Sequence, residues 1–127
     1  MIEKRGAHGF TLVELLIVVV IIGILATIAI PKFASTKEQA FLAAMKSDLR
    51  NLATSEESYM YEFSAYTTNP GASFSATTGV IGPTITITGD GWTGIVGHNV
   101  STKTCAIYVG STVQAPAAQE FVPKCST

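Results

Sequence analysis

A long apolar stretch near the N-terminus constrains this chain more than any other feature. Residues 10–30 are interrupted only by Thr11, Glu14, Gly23 and Thr27, and no ionisable side chain occurs from residue 15 to residue 31. As a helix that rises about 1.5 Å per residue, the stretch spans about 30 Å, the thickness of the hydrocarbon core of a bilayer. The sequence therefore predicts a membrane-spanning helix.

The residues around this stretch leave three alternatives for its fate. Lys4 and Arg5 precede it and predict a cytoplasmic N-terminus, with the C-terminal part outside. The stretch could be a secretory signal peptide cut after Ala29, a plain anchor, or a helix retained after a shorter leader is removed. Glu14 favours the third alternative, because a carboxylate at the head of a membrane helix is costly and usually has a partner and a function.

The residues around Glu14 form a specific motif. Gly9 and Phe10 stand side by side, Glu14 follows four residues after Phe10, and the apolar run continues to Pro31. This segment closely resembles the class III signal of type IV prepilins and type II secretion pseudopilins. One departure is His8, which stands where many leaders of this family place Lys or Arg directly before the glycine.

The resemblance implies a processing route and a set of partners. Residues 1–9 would be a leader that a membrane-embedded prepilin peptidase removes by cutting between Gly9 and Phe10, and the same enzyme would N-methylate Phe10. Residues 10–31 would then form the transmembrane and filament-core helix, and residues 32–127 the periplasmic or extracellular globular domain. The implied partners are copies of the chain in a helical homopolymer, the pilus assembly machinery, and membrane lipid before assembly.

Phe10 and Glu14 are the predicted assembly residues. Cleavage leaves a free amine on Phe10, which is normally a cation near neutral pH. Attraction between opposite charges grows as the dielectric constant falls, and both groups lie next to apolar sequence. We therefore expect Glu14 of an incoming subunit to pair with the Phe10 amine of a subunit already in the filament. The alternative is a Glu14 side chain that extends to the lipid headgroups.

The helix is predicted to continue to residue 63, with a soft part between Gly23 and Pro31. Proline lacks the amide that would bond the Thr27 carbonyl, and glycine is a weak helix former, so we expect a kink near Pro31. Beyond it, apolar residues recur at helical spacing and predict one face packed on a core. These residues are Phe41, Met45, Leu49, Leu52, Tyr59 and Phe63.

The C-terminal half predicts a small antiparallel sheet and, with the long helix, an α+β fold. The resemblance implies the same fold, since type IV pilins pack a long N-terminal helix on such a sheet. Residues 64–79 have the composition of a surface loop, and residues 84–88 alternate strictly between Thr and Ile. Further strands are expected at 92–96 and 103–109, with Trp92 in the core. Residues 110–127 have no clear period. Because an exported chain meets no reducing environment, Cys105 and Cys125 are expected to form a disulfide.

No catalytic chemistry is predicted, and neither a cofactor nor a metal is expected. His98 and Asp90 could join a catalytic triad only with one of many serines, which carries little weight. Cys105, Cys125 and His98 match no standard zinc-site spacing, and a net charge of −1 gives no sign of a nucleic-acid site. The expected function is that of a structural pilus subunit in adhesion, motility or DNA uptake. One alternative is a type II secretion pseudopilin, although Glu120 is the only acidic residue after Asp90 to support the calcium site common in that class. Another is a monomeric membrane-anchored binding module.

Overall fold

A computed structural model describes residues 9–127, and the chain divides into two units, Met1–Thr36 and Lys37–Thr127. Helix α1 contributes residues to both units, and the four strands belong to the second. The elements are α1 (Leu12–Phe63), a short 3-10 helix (Gly71–Ser73), β1 (Val80–Ile87), β2 (Trp92–His98), β3 (Ser101–Val109) and β4 (Lys124–Cys125). The predicted α+β fold is confirmed. Of the predicted leader, only Gly9 falls within the described residues; Lys4, Arg5 and His8 lie outside them.

Helix α1 begins two residues later than predicted and ends at the predicted residue, Phe63. It stays helical through Gly23 and Pro31, so the expected softness and bend in this segment remain predictions. The Thr27 hydroxyl donates to the Ile24 carbonyl over 2.7 Å. Hydroxyls that bond back to the preceding turn in this way often bend helices.

The four strands form one antiparallel sheet in chain order, β1-β2-β3-β4. All three predicted strands are present, but β1 starts four residues earlier than expected because a bulge between Ile81 and Thr84 accommodates Pro83. Proline donates no ladder hydrogen bond, which is tolerated at a bulge in an edge strand. The turn between β2 and β3 is shorter than predicted and contains only Asn99 and Val100.

The core of the second unit lies between one face of α1 and one face of the sheet. Met45, Leu49 and Leu52 are fully buried and pack with the cluster that contains Trp92 and Ile107. Cys105, Ile107 and Val109 share the same face of β3, as their alternation predicts. The sheet approaches the helix closely at Gly94, where a Cβ atom would meet Trp92 and Leu52 at 3.0 and 3.1 Å.

The predicted core face of α1 is wrong at its C-terminal end. Phe63 is 57% exposed and Tyr59 is only half-buried, and their rings contact each other with centroids 4.5 Å apart. The last buried residue of α1 is Glu56, so both aromatic residues lie beyond the part of the helix that the core covers. Helical spacing alone gives no information about where the covering sheet ends.

Two carboxylates, those of Asp48 and Glu56, lie on the buried face of α1. Asp48 accepts hydrogen bonds from the amide and the hydroxyl of Thr77, at 2.8 and 2.7 Å. Glu56 accepts one from the Thr67 amide at 3.0 Å, and its Oε1 atom has no partner among the described residues. Burial raises the pKa of the Glu56 carboxyl above its ordinary value. Both side chains fasten the loop after α1 to the helix.

Candidate functional site

The predicted cleavage bond lies just before α1. Gly9 and Phe10 are exposed and not helical, and the Phe10 side chain is 90% exposed. An extended, uncovered backbone is what a peptidase requires, because regular hydrogen-bonded structure keeps a peptide bond away from a protease site. The geometry thus leaves the bond between Gly9 and Phe10 accessible.

Glu14 and Thr11 form a capping box at the start of α1. Oε2 of Glu14 accepts hydrogen bonds from the Thr11 amide and hydroxyl, both at 2.8 Å. In return, the Thr11 hydroxyl oxygen accepts from the Glu14 amide at 3.2 Å. These reciprocal bonds satisfy amides that the first turn of a helix otherwise leaves without partners. Glu14 is therefore partnered within its own chain.

Thr11 is the functional residue that the sequence analysis missed. Thr-x-x-Glu directly before an apolar run is the sequence signature of a capping box, and residues 11–14 match it. The expected partners of Glu14 were the Phe10 amine of another subunit or the lipid headgroups, and neither involves Thr11. The structure gives the carboxylate a role at the helix start that precedes any role between chains.

The second oxygen of Glu14 accepts no hydrogen bond from the described residues. Among residues 9–127, the hydrogen bonds to this carboxylate all go to Oε2, which leaves Oε1 available. Phe10 and Glu14 line a shallow groove of about 550 Å³ whose other walls are aliphatic side chains of the first two turns: Leu15, Ile17 and Val18. A cation entering this groove would meet a carboxylate in apolar surroundings, where electrostatic attraction is stronger than in water.

The aliphatic side chains of α1 in the first unit are exposed. From Leu12 to Ile30 the large ones are between 50% and 80% exposed in the single chain. The helix is long and apolar enough to cross a membrane. A surface of this extent is stable only against lipid or against other protein. This part of α1 is therefore long, apolar and exposed enough to be the expected membrane helix, and Glu14 is the carboxylate near its N-terminal end.

Cys105 and Cys125 form the predicted disulfide. They face each other across the β3–β4 ladder, and Ala106 pairs with Lys124 beside them. The bond fastens the C-terminal segment to the sheet. Strand β4 has only two residues, which explains why the sequence pattern of residues 110–127 did not reveal it.

Asp90 and His98 make hydrogen bonds and a ring contact that stabilise the fold. Hydrogen bonds from the Ser111 hydroxyl and amide hold the pKa of the Asp90 carboxyl below its ordinary value, with the amide at 2.8 Å. His98 stacks on Phe41 with ring centroids 4.1 Å apart, and its Nδ1 accepts from the Val100 amide at 3.3 Å. Within the part of the chain that the structure describes, no three His, Cys, Asp or Glu side chains gather as a metal site would require.

Comparison with known proteins bears on the N-terminal segment. Residues 4–30 match the family described as the prokaryotic N-terminal methylation motif. The chain carries a prepilin-type N-terminus. This match includes Gly9, Phe10, Thr11 and Glu14, the residues at the predicted cleavage bond and the capping box, and it confirms the resemblance inferred from them.

Curated relatives include both pilins and pseudopilins. The chain is 38% identical over 64 residues to the type II secretion system core protein G of Pseudomonas aeruginosa, which is 50% of this chain and 45% of that protein. It is 46% identical over 59 residues to the type IV major pilin protein PilA of Myxococcus xanthus, covering 46% of this chain and 27% of the relative. A third relative, the type IV wide pilus major component PilA4 of Thermus thermophilus, is 38% identical over 71 residues, or 56% and 54% of the two chains. The chain thus spans about half the length, or less, of these relatives.

Proposed function

We propose that the chain is a structural subunit of a type IV pilus, which assembles through its N-terminal apolar helix and serves adhesion, motility or DNA uptake. The observation that carries the proposal is the exposed aliphatic surface of Leu12 to Ile30 directly behind the methylation motif. Lipid can cover this surface in a precursor, and identical helices can cover it in a filament. Exchanging one apolar environment for the other has little hydrophobic cost, so packing and polar contacts decide the outcome.

Processing precedes assembly in this proposal. A prepilin peptidase removes residues 1–9 by cutting between Gly9 and Phe10 and N-methylates Phe10, while the helix remains in the inner membrane with its N-terminus cytoplasmic. The accessible, non-helical position of this bond supports the order of events, because the peptidase then needs no unwinding of α1. The methylated amine stays a cation and is available to a neighbouring subunit.

Glu14 sets the position at which an incoming subunit docks. Its Oε2 remains on the Thr11 cap, and its Oε1 accepts the Phe10 amine of the subunit ahead. An amine or a carboxylate without this partner would remain uncompensated in apolar surroundings, so wrong axial positions are disfavoured. This assignment retains the intrachain cap and adds the contact between chains to it.

The segment between Gly23 and Pro31 supplies flexibility during assembly. Pro31 donates no hydrogen bond to the preceding turn, and the Thr27 hydroxyl bonds back to Ile24 within the same segment. Both features weaken the helical ladder where the apolar stretch ends. We expect this segment to adapt its helicity when subunits pack.

The decisive experiment replaces Glu14 in cells that produce the pilus. Glu14→Ala is expected to leave cleavage after Gly9 intact and to reduce the filaments recovered by shearing about tenfold or more, because a charged partner leaves the interface. Glu14→Gln keeps the side-chain size and an acceptor for Thr11 and should also lose assembly, which separates the charge from the cap. Filament yields like that of the wild type from both variants would contradict the proposed role.

A pseudopilin of a type II secretion system is the second candidate. The similarity to the core protein G of Pseudomonas aeruginosa favours it directly. The two candidates differ in where the polymer is found, since a pilus is recovered from the cell surface and a pseudopilus is periplasmic. Electron microscopy of sheared surface material, with an antibody to this chain, distinguishes them: labelled fibres support the pilus, and their absence together with a secretion defect in a deletion strain supports the pseudopilus.

A further inference from the structure

One face of α1 in the second unit carries positive charge at one end and negative charge at the other. Lys46, Arg50, Thr54, Glu57 and Tyr61 recur at intervals of four, four, three and four residues, which places them in a single stripe along the helix. Arg50, Thr54, Glu57 and Tyr61 are exposed. We call this row the charged stripe. Lys46 and Arg50 form its basic end and Glu57 lies toward its acidic end. The two ends are too far apart along the helix to pair with each other within one chain.

The acidic end of the charged stripe forms one wall of an open groove. The groove has a volume of about 740 Å³, and its walls include Glu57, Glu62, Tyr61 and Phe121. Tyr61 is 94% exposed and Phe121 is 47% exposed in the single chain. Carboxylates beside exposed aromatic rings are the surroundings that a guanidinium group prefers, because it donates to the former and stacks on the latter.

We propose that this groove receives Arg50 of a second copy of the chain, an inference that rests on the proposed assembly into a filament. Arg50 is the one arginine in the described part of the chain, and it is exposed. The salt bridge found among residues 9–127 joins Lys103 to Glu38 and leaves Arg50 uninvolved. The groove and its occupant thus belong to the same face of the same helix.

The spacing of Arg50 and Glu57 defines the geometry of the contact. They are seven residues apart, which is about two helical turns and about 10 Å along the axis. Copies that insert into the membrane with the same orientation are parallel. Side by side without an axial offset, they would place Arg50 against Arg50 and Glu57 against Glu57. An offset of seven residues brings Arg50 of one copy level with Glu57 of the next copy along the axis, and both side chains lie on the charged stripe, since seven residues nearly complete two turns.

This interface joins two different patches of the same chain, so it does not close on itself. The charged stripe lies between two neighbours, so each copy offers its groove to one of them and its Arg50 to the other, which is the arrangement that extends a polymer. The contact supplements the one proposed at Phe10 and Glu14 and lies in the other unit of the chain. Through this contact, the second unit helps to determine the axial offset between neighbouring copies.

Charge reversal and its compensation test the proposal. Arg50→Glu and Glu57→Arg are each expected to reduce sheared filaments about tenfold or more, and the double variant is expected to restore them to about half the wild-type yield or better. Lys124→Glu is the matched control, because it makes the same charge change at an exposed site on β4 and should leave the yield unchanged. Glu57→Gln keeps an acceptor for the Tyr66 hydroxyl, which bonds Glu57 at 3.1 Å, and separates loss of charge from loss of that bond.

Cysteine cross-linking supplies a direct measure of proximity. Filaments of the Arg50→Cys/Glu57→Cys double variant should give a ladder of covalent multimers on mild oxidation, and either single variant should give no ladder beyond the dimer. Wild-type yields from both charge-reversed chains, or a double variant as poor as the singles with no ladder, would overturn the Arg50 contact while leaving filament assembly intact. A wild-type chain that never polymerises would overturn the proposed function and this inference together.

Discussion

Glu14 and Thr11 exchange hydrogen bonds in both directions at the start of α1. Oε2 of Glu14 accepts from the Thr11 amide and hydroxyl, and the Glu14 amide donates to the Thr11 hydroxyl oxygen. The carboxylate at the head of the apolar helix thus has partners before any second subunit arrives. Its presence in a membrane segment is therefore less costly than that of a bare charge, because its Oε2 is hydrogen-bonded to the helix start.

Removing the Thr11 hydroxyl should loosen the first turn of α1. Thr11→Val eliminates the acceptor for the Glu14 amide, and loss of such a cap costs about 1 kcal/mol, which corresponds to about fivefold faster exchange of the Glu14 amide proton. Thr11→Ser retains the hydroxyl and serves as the control. Hydrogen exchange of the mature chain in detergent micelles provides the measurement. Equal exchange rates in the valine and serine variants would refute the cap.

Removing the Asp48 carboxylate should destabilise the second unit. Asp48→Ala leaves the buried Thr77 amide and hydroxyl without their partner, at an expected cost of about 1–3 kcal/mol in the free energy of unfolding. Asp48→Asn offers an acceptor to the amide and a donor to the hydroxyl, so it should lose less. Urea unfolding of the mature chain in micelles measures both. The idea fails if alanine is tolerated as well as asparagine.

Glu56 should make the second unit less stable as the pH rises. Its pKa is raised above the ordinary 4.5, chiefly by burial, so the folded state holds a proton that the unfolded state has released. This contribution is fully present below pH 4.5 and is lost as the pH rises through the raised pKa of the folded state. Glu56→Gln should flatten that dependence and raise the free energy of unfolding at neutral pH by about 1 kcal/mol.

Unfolding curves between about pH 4 and about pH 8 test this pH dependence. Glu62→Gln is the control, since Glu62 lies on the same helix and is exposed. Asp90 acts in the opposite direction and at lower pH, because its pKa is held below 3.8 and its contribution disappears only as the pH falls through that lowered value. An unchanged slope in the Glu56 variant would contradict the assignment.

Breaking the disulfide should release the C-terminal segment. Cys105 and Cys125 are 20 residues apart, and loop-entropy arguments assign such a bond about 3 kcal/mol. Cys105→Ala/Cys125→Ala and the reduced wild-type chain should both show this loss in urea unfolding, while the helical signal of α1 in the first unit persists. A reduced chain as stable as the oxidised one would show that the bond contributes nothing to folding.

The features that the sequence revealed are those with a strong local pattern. The apolar helix follows from an uninterrupted run, β1 from the alternation around Ile85 and Ile87, and the disulfide from two cysteines in an exported chain. These signals require no knowledge of the tertiary contacts. The resemblance at Gly9 and Phe10 is equally local, which is why the comparison with known families confirms it.

The features that the sequence did not reveal depend on contacts distant in the chain. Glu56 is buried and Phe63 is exposed because the core ends between them, a boundary set by the sheet. Asp48 is buried because Thr77, 29 residues away, supplies its donors. Strand β4 forms because Cys125 pairs with Cys105. The role of Thr11 was predictable, since its capping motif is local to residues 11–14.

The central claim is that Gly9 marks a cut and that the helix behind it stays with the mature chain. Mass spectrometry of the N-terminus of the natural protein, purified from the membrane and from sheared surface material, tests this claim most directly. If the peptidase cuts after Gly9, the chain begins with N-methylated Phe10 in both fractions. A mature chain that begins at Ile30, or one that still begins at Met1, would contradict it.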